Sequence, residues 1–363
     1  TELQKGEITT FCEELFPVWM RGDNFTRSRA IRQRFKELYD LIQDELTQQE
    51  KEDLCQAFFD SNEIEKICGD INYKVTSITD LPKKIQELFI NKRERKGLFV
   101  WLYDYILTGK DSPIPKILKA DIKAHYKKYQ RKNPAMCPFC GLEYISLLNS
   151  EGREGYDHYL HKTHYSFSAV NMKNLIPMGI KCNKKKTNDD ILLDKKNNRV
   201  EVFYPFSFKK NKKYGVDFYF TLSCKKYPNI ENIQGEWKIE LCQSINNNQL
   251  KSQLETWKRR FNINNRYSEY IQVQHFRWLK ELFTDVDFSK KDNIDKAKVL
   301  EKLNTQFGIS EPNETTLENY TGLIPRYLYF KFLKDDEVFA KTLISLFVEE
   351  KSKRRDDDND LEL

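Results

Sequence analysis

CPFCGLEYISLLNSEGREGYDHYLHKTHYSFSAVNMKNLIPMGIKCNKKK, residues 137–186, is the stretch around which this chain is organised. It holds three of the five histidines (His158, His161, His164) and three of the eight cysteines (Cys137, Cys140, Cys182). Thiol, imidazole and carboxylate this close in sequence are the composition of a metal site or a proton-transfer site. Two residues between Cys137 and Cys140 let both sulfurs reach one tetrahedral Zn²⁺, and Gly141 permits the tight turn that follows. Cys182 adds a third thiol. Gly179 occupies the position three before it, so the thiols are one ligand short, with His161 or His164 as candidates for the fourth. Asp157-His158 sets a hard oxygen donor beside a group able to take a proton near neutral pH.

Outward from this stretch, the basic clusters lie close by. They are Lys127 to Lys132, Lys181 to Lys186, and Lys209 to Lys213, and each flanks or enters the cysteine–histidine segment. The net charge of +6 is too small to identify a nucleic-acid binder, so the placement of the lysines carries the inference. Upstream, Ile31, Phe35, Leu38, Tyr39, Ile42 and Leu46 recur at helical spacing. Thr47 to Glu50 reads as a capping box opening a helix that buries Leu54, Phe58 and Phe59. Asp80-Leu81-Pro82 starts a further helix with Ile85, Leu88 and Phe89 inside. An apolar run, Leu98 to Leu107, follows. Gly109 to Pro115 marks a boundary, and Lys119 to Lys132 reads as a basic helix.

Downstream, Val200 to Tyr204, Val216 to Leu222 and Trp237 to Leu241 alternate like strands. Helical spacing returns from Asn248 through Phe283 and again over 293–350, broken at Gly308 to Pro312. An acidic, disordered tail is expected at the end. The expected class is therefore α+β. A helical N-terminal domain spans 1–115, a central domain with knuckle cysteines 116–195, and a C-terminal region of short strands then helices 196–363.

Composition narrows the function classes. Hydrophobic residues at 39%, with 24 Phe and 19 Tyr, describe a folded protein. No run reaches the roughly 18–20 apolar residues of a membrane span, and the first thirty residues lack the pattern of a secretory leader. Cys12, Cys55, Cys68, Cys224 and Cys242 have no framework spacing and read as reduced thiols. The expectation is a cytoplasmic protein without a membrane partner.

Taken in order, Cys-x-x-Cys-Gly (137–141), Asp157-His158, Asn174-Leu-Ile-Pro177 and Cys182-Asn183-x-x-Lys186 resemble an HNH endonuclease of the His-Me finger (ββα-metal) class, over about a sixth of the chain. The resemblance implies two strands and a helix around one catalytic metal. His158 would be the general base, Asp157 and Asn183 the ligands of Mg²⁺ or Mn²⁺, and Asn174 the residue holding the metal loop. Lys186, with Lys184 and Lys185, would contact the nucleic-acid backbone. Cys137, Cys140 and Cys182 would bind structural Zn²⁺. The run Tyr156 to Met178 further resembles standalone bacterial HNH proteins of anti-phage defence, some paired with an ATPase, as in Septu-type systems. The implied activity is metal-dependent hydrolysis of DNA by a defence effector with an ATPase or sensor partner. The alternatives are a non-catalytic interaction module on a degenerate finger and an RNA-cleaving toxin.

Overall fold

The computed structural model describes residues 28–90, 96–107, 124–131, 136–145, 156–186, 190–206, 217–228, 234–282, 301 and 322–335. The chain is of the α+β class, with helices and, among the described residues, two small antiparallel sheets. It divides into two compact units, one comprising 1–135 with 145–204 and the other 136–144 with 205–363. Among the described residues no helix is long and apolar enough to cross a membrane.

In the first unit, α1 (Ser28–Glu45) and α2 (Gln48–Asp60) are separated by the expected capping box. The Thr47 hydroxyl accepts from the Glu50 amide at 3.3 Å, and the Glu50 carboxylate accepts from the Thr47 amide at 2.9 Å. These bonds satisfy donors a helix start otherwise leaves open, and they hold the Glu50 carboxyl below its usual value. After α3 (Ile64–Gly69), a 3₁₀ turn over Ile78–Asp80 leads into α4 (Lys83–Phe89). Next come α5 (Leu98–Trp101) and a π-helical turn, Leu102–Leu107. Leu46, Leu54, Ala57, Ile85, Phe89, Leu98 and Phe99 form one core, into which Phe167 and Ala169 of the central stretch also insert. The Phe167 ring meets Phe89 at 5.0 Å and Phe99 at 5.6 Å, both edge-on. Burying such a ring contributes about 2–3 kcal/mol, so the N-terminal helices anchor the central loop.

Two expectations need correction here. Phe58 and Phe59 are not fully buried on α2, although the Phe58 ring packs against Phe99 at 5.9 Å and Phe167 at 5.7 Å. They remain 37% and 42% exposed, and Ala57 and Leu54 take the inner positions. Val200–Tyr204 forms no strand; its Val202 amide donates to the Cys68 carbonyl at the end of α3, so the segment is tied to a helix end and not to a sheet. β1 (Tyr156–His158) pairs antiparallel with β2 (Leu175–Pro177), placing Asp157 opposite Ile176 and His158 opposite Leu175. α6 (Ile180–Lys186) follows.

In the second unit, β3 (Phe218–Lys226) and β4 (Glu236–Gln243) form the hairpin expected from their alternation. Trp237, Ile239 and Leu241 point inward against α7 (Asn248–Phe261) and α8 (Ile263–Leu282). Asn247 caps α7, its side chain accepting from the Leu250 amide at 2.8 Å. Asn262, in the left-handed region at φ 52°, breaks α7 from α8. The outward amides of β4 are covered from α8, where Ser268 Oγ and Asn264 Oδ1 accept from Ile239 and Leu241. α9 (Leu323–Asp335) adds Tyr329 and Phe330 to an aromatic core with Trp237 and Trp278. Residues 124–131 are helical, within the expected basic helix. Gly109 to Pro115, the 308–312 break and the acidic tail lie outside the described residues.

Candidate active site and metal cluster

β1 is short because the chain must turn at once into the 159–174 loop, and one buried side chain fastens that loop. Asn174 is fully buried and its amide is saturated. Its Oδ1 accepts from the Leu160 amide at 2.7 Å. Its Nδ2 donates to the carbonyls of Leu160 (3.0 Å) and Ser168 (3.2 Å), and reaches Ser168 Oγ at 3.2 Å. An amide is the one side chain carrying both a paired acceptor and two donors at this size. A backbone bond from the Tyr159 amide to the Asn174 carbonyl, 2.8 Å, closes the same neck.

The loop sets the state of His158. Its Nε2 lies 2.7 Å from the Ala169 carbonyl. A carbonyl only accepts, so Nε2 carries the proton and Nδ1 is the acceptor nitrogen. The ring is 6% exposed, with the edge of Tyr103 at 4.1 Å between centroids. Burial drives its pKa down to about 3; the bond to Ala169 pulls the other way, and Lys162 and Lys186 lower it further. His158 is thus a neutral imidazole of fixed tautomer at neutral pH.

Beside it, Asp104 accepts from two ammonium groups, Lys162 at 2.7 Å and Lys96 at 2.6 Å. Burial opposes the charge of Asp104, yet the two lysines outweigh it and hold the carboxyl below its usual value. Lys162 also stands over the Tyr103 ring, 5.0 Å from its centre. Nothing in the sequence pointed to Tyr103 or Asp104, which precede His158 by more than fifty positions.

Of the other anticipated residues, Asp157 lies on β1, adjacent to His158. Asn183 is exposed on α6, as are Lys184 and Lys185. Lys186 is only 2% exposed, and its ammonium donates inward to the His158 carbonyl, tying α6 to β1. The His161 and His164 rings lie 5.0 Å apart, tilted at 49°; Thr163 Oγ1 lies 2.7 Å from His161 Nδ1, and His164 Nδ1 is 3.9 Å from Asp190.

The knuckle, 136–144, is built as a closed turn. Met136 and Tyr144 form a bridge, the Cys137 amide donates to the Glu143 carbonyl, and Gly141 turns at φ 60°. Helices α7 and α8 grip it. Phe139 stacks on Phe261 at 4.7 Å, Trp257 Nε1 donates to the Phe139 carbonyl at 2.6 Å, and the Tyr267 hydroxyl donates to the Cys140 carbonyl at 2.9 Å. Arg266, itself buried, donates to the Glu143 carboxylate at 3.0 Å and reaches Cys140 Sγ at 3.5 Å.

Cys137, Cys140, Glu143 and Cys182 offer ligand atoms that all lie within 4.8 Å of one another, a set that could hold a metal ion. The fourth group is Glu143, and neither histidine offered as a candidate belongs to the set. No family model, curated protein or solved structure matches the chain. Glu143 was within reach of sequence reasoning, three residues after Cys140, but a carboxylate beside a cysteine pair is too common to stand out.

Proposed function

We propose that the chain is a metal-dependent endonuclease of the HNH type, hydrolysing phosphodiester bonds of DNA. The observation that carries the reading is His158, the neighbour of Asp157 in the sequence of β1 and a buried neutral base whose Nε2–H is spent on the Ala169 carbonyl. Hydrolysis needs a water whose proton is removed as its oxygen attacks phosphorus. His158 Nδ1 takes that proton, the new P–O bond forms, and the bond to the leaving sugar oxygen breaks, that oxygen being protonated from solvent. The Ala169 carbonyl then faces an N–H of an imidazolium and stabilises the charge gained. A phosphodiester anion bound beside the ring raises its proton affinity, offsetting the depression caused by burial.

Asp157 and Asn183 are oxygen donors of the kind that fit Mg²⁺ or Mn²⁺, and they would hold the ion. When bound, it would supply charge stabilisation at the phosphate. Three thiols with Glu143 fit Zn²⁺ better than a hard cation, so we assign the cysteine cluster a structural zinc. The resemblance of Tyr156 to Met178 to defence nucleases makes an ATPase or sensor protein the candidate partner.

The test is incubation of the purified protein with plasmid DNA, and in parallel with RNA, in Mg²⁺ or Mn²⁺. DNA is nicked or cut by the parent chain, and His158→Ala loses cleavage while keeping affinity. Cleavage of RNA alone would move the substrate class. Cleavage at the parent rate by His158→Ala would place the chemistry elsewhere.

A further inference from the structure

His158 takes its tautomer from one carbonyl, that of Ala169, so whatever orients that carbonyl acts on the ring. The carbonyl belongs to the peptide between Ala169 and Val170, and the plane of that peptide is set by what is fixed on either side. Upstream, the Phe167 ring is sunk among Phe58, Phe89 and Phe99, and Asn174 Nδ2 donates to the Ser168 carbonyl at 3.2 Å. Ring packing is non-directional, so it places the segment without aiming a carbonyl. Downstream, Asn171 supplies the direction. Its Nδ2 donates to two oxygens of Asn62, the backbone carbonyl at 3.0 Å and Oδ1 at 2.9 Å. Asn62 stands just beyond the end of α2, and its own Nδ2 donates to the Phe58 carbonyl at 2.8 Å and to the Phe167 carbonyl at 3.4 Å. Asn171 Oδ1 accepts from the Lys173 amide at 2.9 Å, capping the 3₁₀ turn Met172–Asn174. The two side-chain amides interlock, each using both donors and its acceptor. Phe167 and Asn171, two residues either side of Ala169, are thus tied to the same residue, 105 and 109 positions upstream.

We infer that Asn62 and Asn171 are positioning residues for the nuclease reaction: they staple the 167–171 segment to the end of α2 and so aim the Ala169 carbonyl at His158 Nε2. The inference rests on the reading of His158 as the base. With the staple in place, Nε2 keeps its proton and Nδ1 offers its lone pair to the attacking water. Without it, the 169–170 peptide is free to turn, and the Nε2–H loses its acceptor. The proton then exchanges between the two ring nitrogens. A ring protonated on Nδ1 presents an N–H to the water and cannot take its proton. The N-terminal helical region thereby acts on the chemical step through His158.

The experiment follows the His158 ring nitrogens by NMR in protein carrying isotope-labelled histidine, with His158→Gln giving the assignment, alongside steady-state plasmid cleavage in Mg²⁺ or Mn²⁺. Asn171→Ser keeps an acceptor for the Lys173 amide but loses both donors, so it removes the staple and leaves the cap. The parent should show only the Nε2–H tautomer, and Asn171→Ser should show both. In that variant kcat should fall about tenfold, the weight of one hydrogen bond, with KM changed by less than about twofold. Asn171→Asp should fall further, since a carboxylate then faces the same two oxygens of Asn62. Asn62→Ala should resemble Asn171→Ser, and the double variant should be little worse than either single one, because both changes break one link. Melting curves identify any variant that fails to fold; where Asn171→Ser does, Asn62→Ala is read in its place. A parent that cuts DNA, with the parental tautomer or the parental kcat retained in the folded variant, overturns this inference alone. A parent that does not cut DNA overturns the functional reading, and the tautomer in Asn171→Ser then decides whether the staple sets the ring.

Discussion

Replacing Asn174 by Asp tests the loop that holds the base, because the change keeps the side chain's shape and inverts half of its hydrogen bonding. Asn174 Nδ2 donates to the Leu160 and Ser168 carbonyls in a fully buried position. A carboxylate cannot donate, so the Leu160 carbonyl loses this donor, the Ser168 carbonyl keeps the Asn171 amide at 3.1 Å, and both face an oxygen. Leaving a buried carbonyl unsatisfied costs about 1–3 kcal/mol, and burying the new charge against two carbonyl oxygens adds to that. Against a typical folding stability of about 5–15 kcal/mol this is a large fraction. Asn174→Ala also orphans the Leu160 amide and leaves a void, but it introduces no charge, so Asp should be the more damaging of the two at neutral pH. The pH dependence separates them further. The buried carboxyl would have a folded-state pKa raised above its unfolded value. Its protonated form is therefore favoured on folding, and the Asp variant should regain stability as the pH falls, whereas Ala should not. Urea unfolding at two pH values gives the midpoints, and amide exchange at Leu160, whose N–H donates to Asn174 Oδ1, gives the local readout. An Asn174→Asp protein as stable as the parent at pH 7, with Leu160 exchange unchanged, would refute the claim that this amide fastens the loop.

Two further predictions concern pH and metal. His158 is held at about 3 in the folded chain by burial, against about 6.5 unfolded, so between those values only the unfolded chain takes up the proton. Stability should therefore fall by several kcal/mol as the pH drops through that window, and His158→Gln should flatten this part of the pH–stability curve; an unchanged curve in the variant would count against a buried neutral ring. For the cysteine cluster, metal analysis should find about one zinc per chain. Chelation should lower the melting temperature of the parent but not of Cys140→Ser, and Glu143→Gln should weaken retention of the ion; zinc-free parent protein with unaltered stability would remove the metal from the reading.

Much of the local architecture was legible in the residues. The Thr47–Glu50 capping box, the helix face of Ile31 to Leu46 and the β3–β4 alternation depend on neighbours within a few positions, and each formed where its pattern stood. The failures were of another kind. Phe58 and Phe59 have the apolarity of core residues, yet Leu54 and Ala57 are the buried positions of α2, and Phe58 lies at the edge of the core with its ring against Phe99 and Phe167. Val200–Tyr204 has strand composition but found the end of α3 before it found a strand. The motif residues of 137–186 marked where chemistry was to be sought, because residue type and spacing carry ligand and proton-transfer capacity. Their settings were decided by tertiary contact. The His158 tautomer depends on the carbonyl of Ala169, which the N-terminal core holds in place. The inward turn of Lys186 depends on the carbonyl of His158, and the choice of Glu143 over two histidines depends on where three thiols meet. Hydrogen bonds and ion pairs act over a few ångströms in space without regard to separation along the chain, so Tyr103 and Asp104 became neighbours of His158 only when the chain folded.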